Sequence, residues 1–148
     1  MDELYKIYNK PEIASSIEPL YERPKEEEYL RAYKKNMYGF FGYGMWVIEE
    51  KATKKIIGRI GFDNREVNGE MTPELGYVID PDWQRQGIAY ECGKAALFYM
   101  SEELGISHIN CVMPEDNIAS INIAKKLGFE YVNSIEKFKL YEIFIQLN

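Results

Sequence analysis

The sequence predicts one α+β domain, on three observations: a helical opening, a run of three short alternating strands, and a strand–helix–strand succession closed by a hairpin. At 148 residues, 46% hydrophobic and 28% charged, the chain can bury one core and is too short to suggest two. A single domain over residues 1–148 is therefore expected. No internal repeat, low-complexity tract or Gly/Ser linker divides it.

Residues 2–9 and 11–18 read as short helical pieces. Pro24 followed by Glu26, Glu27 and Glu28 marks the acidic first turn of a helix running to about Asn36. Gly39, Gly42 and Gly44, mixed with Phe40, Phe41 and Tyr43, predict a loop. The runs MWVIEE (45–50), IIGRIGF (56–62) and ELGYVID (74–80) predict three strands joined by polar turns, hence an antiparallel meander.

After Pro81 the period changes. Residues 87–104 predict a long helix with Ile88, Cys92, Ala96, Tyr99 and Met100 on one side, ended by Gly105. Cys92, Gly93, Ala95 and Ala96 are small enough to let it lie close to a sheet. HINCVM (108–113) is a strand reached through that helix, which implies a parallel crossover. A second helix over about 118–127 closes at Gly128. Alternation through Phe138, Leu140, Ile143 and Ile145 then predicts a terminal hairpin.

Composition excludes several functions. The net charge of -6 and the lack of a Lys/Arg cluster argue against nucleic acid, whose phosphates need neutralising, and favour a cationic partner. His108 is the only histidine, so one chain cannot build a His-based triad, a two-His metal site or an HExxH site. Cys92 and Cys111 lie in apolar runs, where neither a disulfide framework nor a four-ligand metal site is readable. No metal is expected. MDELYKIYNK has no leader-like stretch, and no window approaches the ~20 apolar residues that cross a bilayer, so the expected setting is the reducing cytosol, away from membranes.

The segment YVIDPDWQRQGIAYECGK carries the chemistry. A strand ends, Pro81 stops the ladder, and Gln84-Arg85-Gln86-Gly87-Ile88-Ala89 opens a helix. Backbone N–H groups in such a turn, with the positive end of the helix dipole behind them, make an anion site, and Gly87 removes the side chain that would block a phosphate. Neither a P-loop nor a Rossmann G-x-G-x-x-G fits these residues. Asn117 and Ser120 then start the helix NIASINIAKKLGF, where a plain N-cap is the structural reading.

Residues 74–129 resemble the acyl-CoA binding core of the GNAT superfamily of N-acyltransferases. QRQGIA stands for its Q/R-x-x-G-x-G/A signature, and N-x-x-S followed by K-x-G-F is most similar to the Rim-type branch, which acetylates N-terminal amines of ribosomal proteins. The resemblance implies a mixed, mostly antiparallel sheet with a splayed parallel strand pair and flanking helices. It also implies acetyl-CoA as co-substrate, held by Val78 and Ile79 along its amide arm and by Gln84, Arg85, Gln86, Gly87, Ile88, Ala89 and Tyr90 at its pyrophosphate. Asn117, Asn122 and Lys125 would line the arm or the nucleotide end, with Ser120 near the sulfur.

For the base that takes the amine proton, Glu74 is chosen, at the start of the strand feeding this site; Glu70, Glu91 and Glu115 compete with it. The family's acid tyrosine falls on Ala124 here, so Ser120 with a water, or Tyr131, would have to serve, or the thiolate leaves with little help. That departure keeps open a catalytically weak acyl-CoA binding or sensing domain, and a subunit that only binds a partner. The acceptor would be a protein N-terminus, a polyamine, an aminoglycoside or another amine metabolite. Aromatics of NMYGFFGYGMW either form an acceptor groove or fill the core, and His108 reads as structural. The Rim-type first strand has no counterpart before MDELYKIYNK, so either a truncated reading frame or a homodimer over the exposed edge is expected.

Overall fold

The alternating segments pair into one six-stranded sheet in the order β1-β2-β3-β4-β6-β5. The computed structural model describes residues 2–15, 17, 19–67 and 69–147. Its strands are β1 Met45–Glu49, β2 Ile56–Val67, β3 Glu70–Ile79, β4 His108–Pro114, β5 Glu130–Ile135 and β6 Phe138–Phe144. Its α-helices are α1 Asp2–Tyr8, α2 Pro11–Ala14, α3 Arg23–Tyr33, α4 Gly39–Phe41, α5 Ile88–Glu102 and α6 Ile118–Leu127. All neighbouring strands are antiparallel except β3 and β4, because α5 carries the chain back before β4 begins. Among the described residues no strand precedes β1, which forms one edge of the sheet.

Side chains alternate across the strands. Leu75 and Ile79 of β3, with Ile109, Cys111 and Met113 of β4, enter the main core beneath Ala96, Leu97 and Met100 of α5 and Ile121 and Ala124 of α6. Val78 points the other way, into a smaller cluster with Leu4, Ile7, Tyr8 and Ile13. Burying a side chain such as Met100 or Ile109 contributes about 1.5–3 kcal/mol. The helices α5 and α6 approach closely: a Cβ on Gly93 would lie 2.9 Å from Leu127 Cδ1.

Three sequence expectations are corrected. The second helical piece stops at Ala14, and Ser16 and Glu18 of its expected span lie outside the described residues. The Gly-rich aromatic stretch is not a loop throughout: α3 passes into a π-helical turn, Lys34–Tyr38, then α4, and ends at Gly42 with φ 83°. Tertiary contacts favour that path. Tyr33 and Tyr38 pack edge to face at 5.4 Å, and Tyr33 Oη accepts the Met45 N–H at 2.7 Å, so the wide turn docks both phenols on β1. Finally, β2 continues well past Phe62, to Val67, and β3 begins at Glu70 rather than Glu74. Its outer residues, such as Arg65, Glu66 and Met71, are exposed and carry no apolar alternation, whereas backbone pairing needs none.

Candidate active site

Between β3 and β4 the ladder contains only Glu74↔Asn110 and Leu75↔Cys111, although β3 runs on to Ile79 and β4 to Pro114. Beyond Leu75 the strands part. On its other side β3 keeps register with β2 through Ile79, and the Asp80 N–H bonds Ile57 O at 2.8 Å. Antiparallel ladders bond the same neighbour at alternate residues. Gly76 and Val78 therefore turn their backbone groups to β2, while Tyr77 and Ile79 turn theirs into the cleft.

Val78 is thus a correction. Its backbone belongs to the β2 ladder and its side chain packs on α1 and α2, so Tyr77 takes its place on the cleft wall beside Ile79. The Ile79 carbonyl there accepts from Gln84 Nε2 at 3.0 Å.

Next comes the turn. Asp80 is buried and accepts from the Asp82 N–H at 3.1 Å and from Lys10 Nζ at 2.5 Å, which fixes the 3-10 turn Pro81–Trp83 and ties the first helices to it. Arg85 and Gly87 then both adopt left-handed φ, 63° and 79°. For Arg85 this conformation costs about 1–2 kcal/mol, strain of a kind that gathers at binding turns. The first helical bond of α5 runs from Glu91 N–H to Gly87 O at 2.9 Å. The Ile88, Ala89 and Tyr90 amides lie ahead of it, at the positive end of a 15-residue helix. A Cβ on Gly87 would meet nothing within 4 Å, so the turn is uncrowded at the residue that precedes these amides. Gln84, Arg85 and Gln86 are exposed around it.

Lysines flank the same turn. Lys126 Nζ lies 4.6 Å and Lys94 Nζ 5.4 Å from the Tyr90 ring centroid. Lys126 of α6 thus reaches the Tyr90 side chain at the start of α5, and Lys125 and Asn122 are also exposed on α6. Asn117 is the N-cap of α6, its Oδ1 accepting the Ser120 N–H at 3.1 Å. The arrangement fits an acyl-CoA: the Tyr77 backbone and the Ile79 N–H along the cleft, amides and ammoniums at its mouth.

Across the cleft, Tyr77 Oη donates to Ser120 Oγ at 3.2 Å. Burial pushes the Tyr77 phenol up, and the Ser120 hydrogen bond lowers it in part, so this pair holds its protons at neutral pH. Tyr77 was missed in the sequence because it alternates in phase with Leu75 and Ile79 and reads as core. Ala124 is 2% exposed within the core. Tyr131, on the edge strand β5, is 53% exposed and bonded to Ser134 Oγ at 2.7 Å, away from the cleft. Cys111 is buried, its thiol pushed up to about 12 by burial first and by Glu74 second, so it is no nucleophile at neutral pH.

The opposite face holds a polar row. Asp63, Glu74, Asn110 and Glu142 stand in register across β2, β3, β4 and β6, and register partners share a face. Tyr33 Oη donates to Asp63 Oδ1 at 3.4 Å. Arg65 holds Glu74 through Nε and, at 3.4 Å, Nη2. His108 Nε2 lies 3.0 Å from Glu142 Oε2, with its ring stacked on Phe144 at 4.2 Å, an arrangement that fits a structural histidine. Beside the row is a cavity of about 510 Å³ lined by Glu74, Arg65, Glu136, Val112, Leu140 and Phe138, among others. Of the carboxylates weighed for the base, Glu74 borders this cavity, whereas Glu70, Glu91 and Glu115 are exposed outside it. Trp46 packs against Phe62 and Tyr99, and Phe40 is exposed, so the aromatic stretch divides between core and surface.

Among the described residues no group of three or more His, Cys, Asp or Glu is placed to hold a metal. No described helix is long and apolar enough to cross a membrane.

Comparison with known proteins adds the family. The acetyltransferase (GNAT) domain model matches residues 1–130. The uncharacterised protein YkkB of Bacillus subtilis is 25% identical over 132 residues, 89% of this chain and 76% of YkkB. The uncharacterised N-acetyltransferase YoaA of the same species is 38% identical over 85 residues, 57% of this chain and 48% of YoaA, so the match spans about half that relative. A Salmonella typhimurium acetyl transferase that modifies the N-terminal serine of ribosomal protein L7/L12 shares the fold, with a TM-score of 0.79 at 16% identity over 98% of this chain and 89% of that one.

Proposed function

The chain belongs to the GNAT acetyltransferase family, and on that premise we propose that it moves an acetyl group from acetyl-CoA directly to a primary amine. The observation that carries this reading is the parting of β3 from β4 in front of the Gly87 turn. Acetyl-CoA supplies an activated thioester whose thiolate leaves readily, so the demand on the protein is chiefly positioning. The Tyr77 and Ile79 backbone would hold the amide arm, and the Ile88, Ala89 and Tyr90 amides with Lys126 the pyrophosphate. Ser120, backed by Tyr77, would return a proton to the sulfur. Glu74, at the cavity on the far face, would take the proton from the amine, directly or through water.

A protein N-terminus is the acceptor class best supported. Asn117-x-x-Ser120 matches the Rim-type pattern, and the Salmonella typhimurium protein of the same fold modifies such an amine. The cytosol is the setting this substrate implies. The free outer edge of β1 is where two copies would pair.

Thermal unfolding with and without acetyl-CoA tests the first half, because a ligand of the native state at 100 Kd adds about 2.7 kcal/mol. A concentration-dependent rise is expected, followed by release of free CoA thiol when peptides with free N-termini are supplied. No rise at millimolar acetyl-CoA would sink the reading. A rise without thiol release on any amine would leave an acyl-CoA binding or sensing domain in its place.

A further inference from the structure

Among the described residues, Asn110 alone has side-chain atoms, Nδ2 and Oδ1, that are buried without a hydrogen-bond partner. The residue is 1% exposed. A primary amide has two donor hydrogens and an acceptor oxygen to satisfy, and leaving them unpaired away from water weakens a fold. An apolar residue of the same size would avoid that loss, so the amide calls for a reason of another kind.

Its position supplies one. Asn110 pairs with Glu74, immediately before the last pair of the parallel ladder, Leu75↔Cys111. It therefore stands at the apex of the cleft, on the face that carries Glu74 and the cavity. The next β3 residue on that face is Gly76, where an added Cβ would meet nothing within 4 Å. Open space therefore lies beside Gly76, one residue past the paired end of the ladder.

We propose that Asn110 aligns the acceptor nitrogen with the acyl carbon, its amide making its hydrogen bonds only to the reacting pair. This rests on the acetyl-transfer reading above. Oδ1 accepts an N–H of the amine while Nδ2 donates to the acyl oxygen. As the nitrogen lone pair forms the C–N bond, the carbonyl π electrons move onto that oxygen, where Nδ2 meets the growing charge. They return as the C–S bond breaks. The nitrogen gives its surplus proton to Glu74, and the thiolate takes one from the Ser120–Tyr77 pair, which solvent restores. A donor kept from water until the substrates arrive acts in a low-dielectric site and needs no reorganisation at the moment of reaction.

The test is Asn110→Leu, read by melting temperature, acetyl-CoA affinity and thiol release per folded molecule. Expected are an equal or higher melting temperature, unchanged acetyl-CoA binding and turnover reduced ~100-fold, the effect of deleting one preorganised donor. Retained turnover, or a lower melting temperature with turnover intact in the folded fraction, overturns the proposal. Should leucine overpack the site and unfold the chain, Asn110→Ala is read by the same turnover and binding criteria. A wild-type protein that binds acetyl-CoA and acetylates amines while both variants stay active refutes the role of Asn110 alone. A wild-type protein that does neither removes the acetyl-transfer reading and this inference together.

Discussion

The two faces of the sheet at β3 and β4 are made from alternate residues of the same strands, yet they are built on different principles. On the α5–α6 face, the cleft wall, turn and helix start come from one continuous stretch, Tyr77 through Tyr90, joined by the first turns of α6. On the far face, Asp63, Glu74, Asn110 and Glu142 come from four strands and meet only through register. A contiguous site is set by local backbone rules: a left-handed glycine, a helix end, a cap. A registered site depends on every ladder between its members, and a slip of one residue would send its side chains to the other face.

The largest effect expected on the first face is from Gly87→Glu. The carboxylate would put a negative charge and bulk at the turn that leads into the Ile88–Tyr90 amides, and the stabilisation by acetyl-CoA should vanish in a thermal shift assay. The left-handed φ adds a stability cost of about 1–2 kcal/mol, small enough for the circular dichroism spectrum to stay native. If acetyl-CoA affinity persists, the turn is only a helix entry.

Tyr77→Phe probes the proton supply on the same first face, because it deletes the hydroxyl bonded to Ser120 and leaves the ring in the core. Turnover should fall about 100-fold, the low end for a positioned proton donor, with acetyl-CoA affinity kept. Unchanged turnover would mean that the thiolate leaves unaided and that the pair is merely structural. The smallest effect belongs to Asn117→Ala, which removes the α6 cap and should cost about 1 kcal/mol in urea unfolding. A loss of acetyl-CoA affinity beyond that accounted for by unfolding would show that Asn117 touches the ligand as well as capping the helix.

Much of the first face was legible before the fold. Pro81, Gly87 and the apolar period of α5 announce strand end, turn and helix in one run of sequence, and Gly128 announces the end of α6. Phase was not legible. A strand shows that neighbouring residues face opposite ways but not which of them bonds which neighbour, so Val78 was expected on the cleft wall where the structure puts Tyr77.

What the amino-acid order determined by itself is what depends on neighbours within a few residues: helix and strand periods, the meander, the crossover, the Gly87 turn. The continuation of α3 through a π-helical turn was decided only when Tyr33 and Tyr38 found β1. The same holds for the clamp of Arg65 on Glu74, the Tyr77–Ser120 pair and the register of Asn110 with Glu74. Each joins residues from different elements, and such contacts exist only after the whole sheet has closed, because their energies depend on distances that no local preference of the chain encodes.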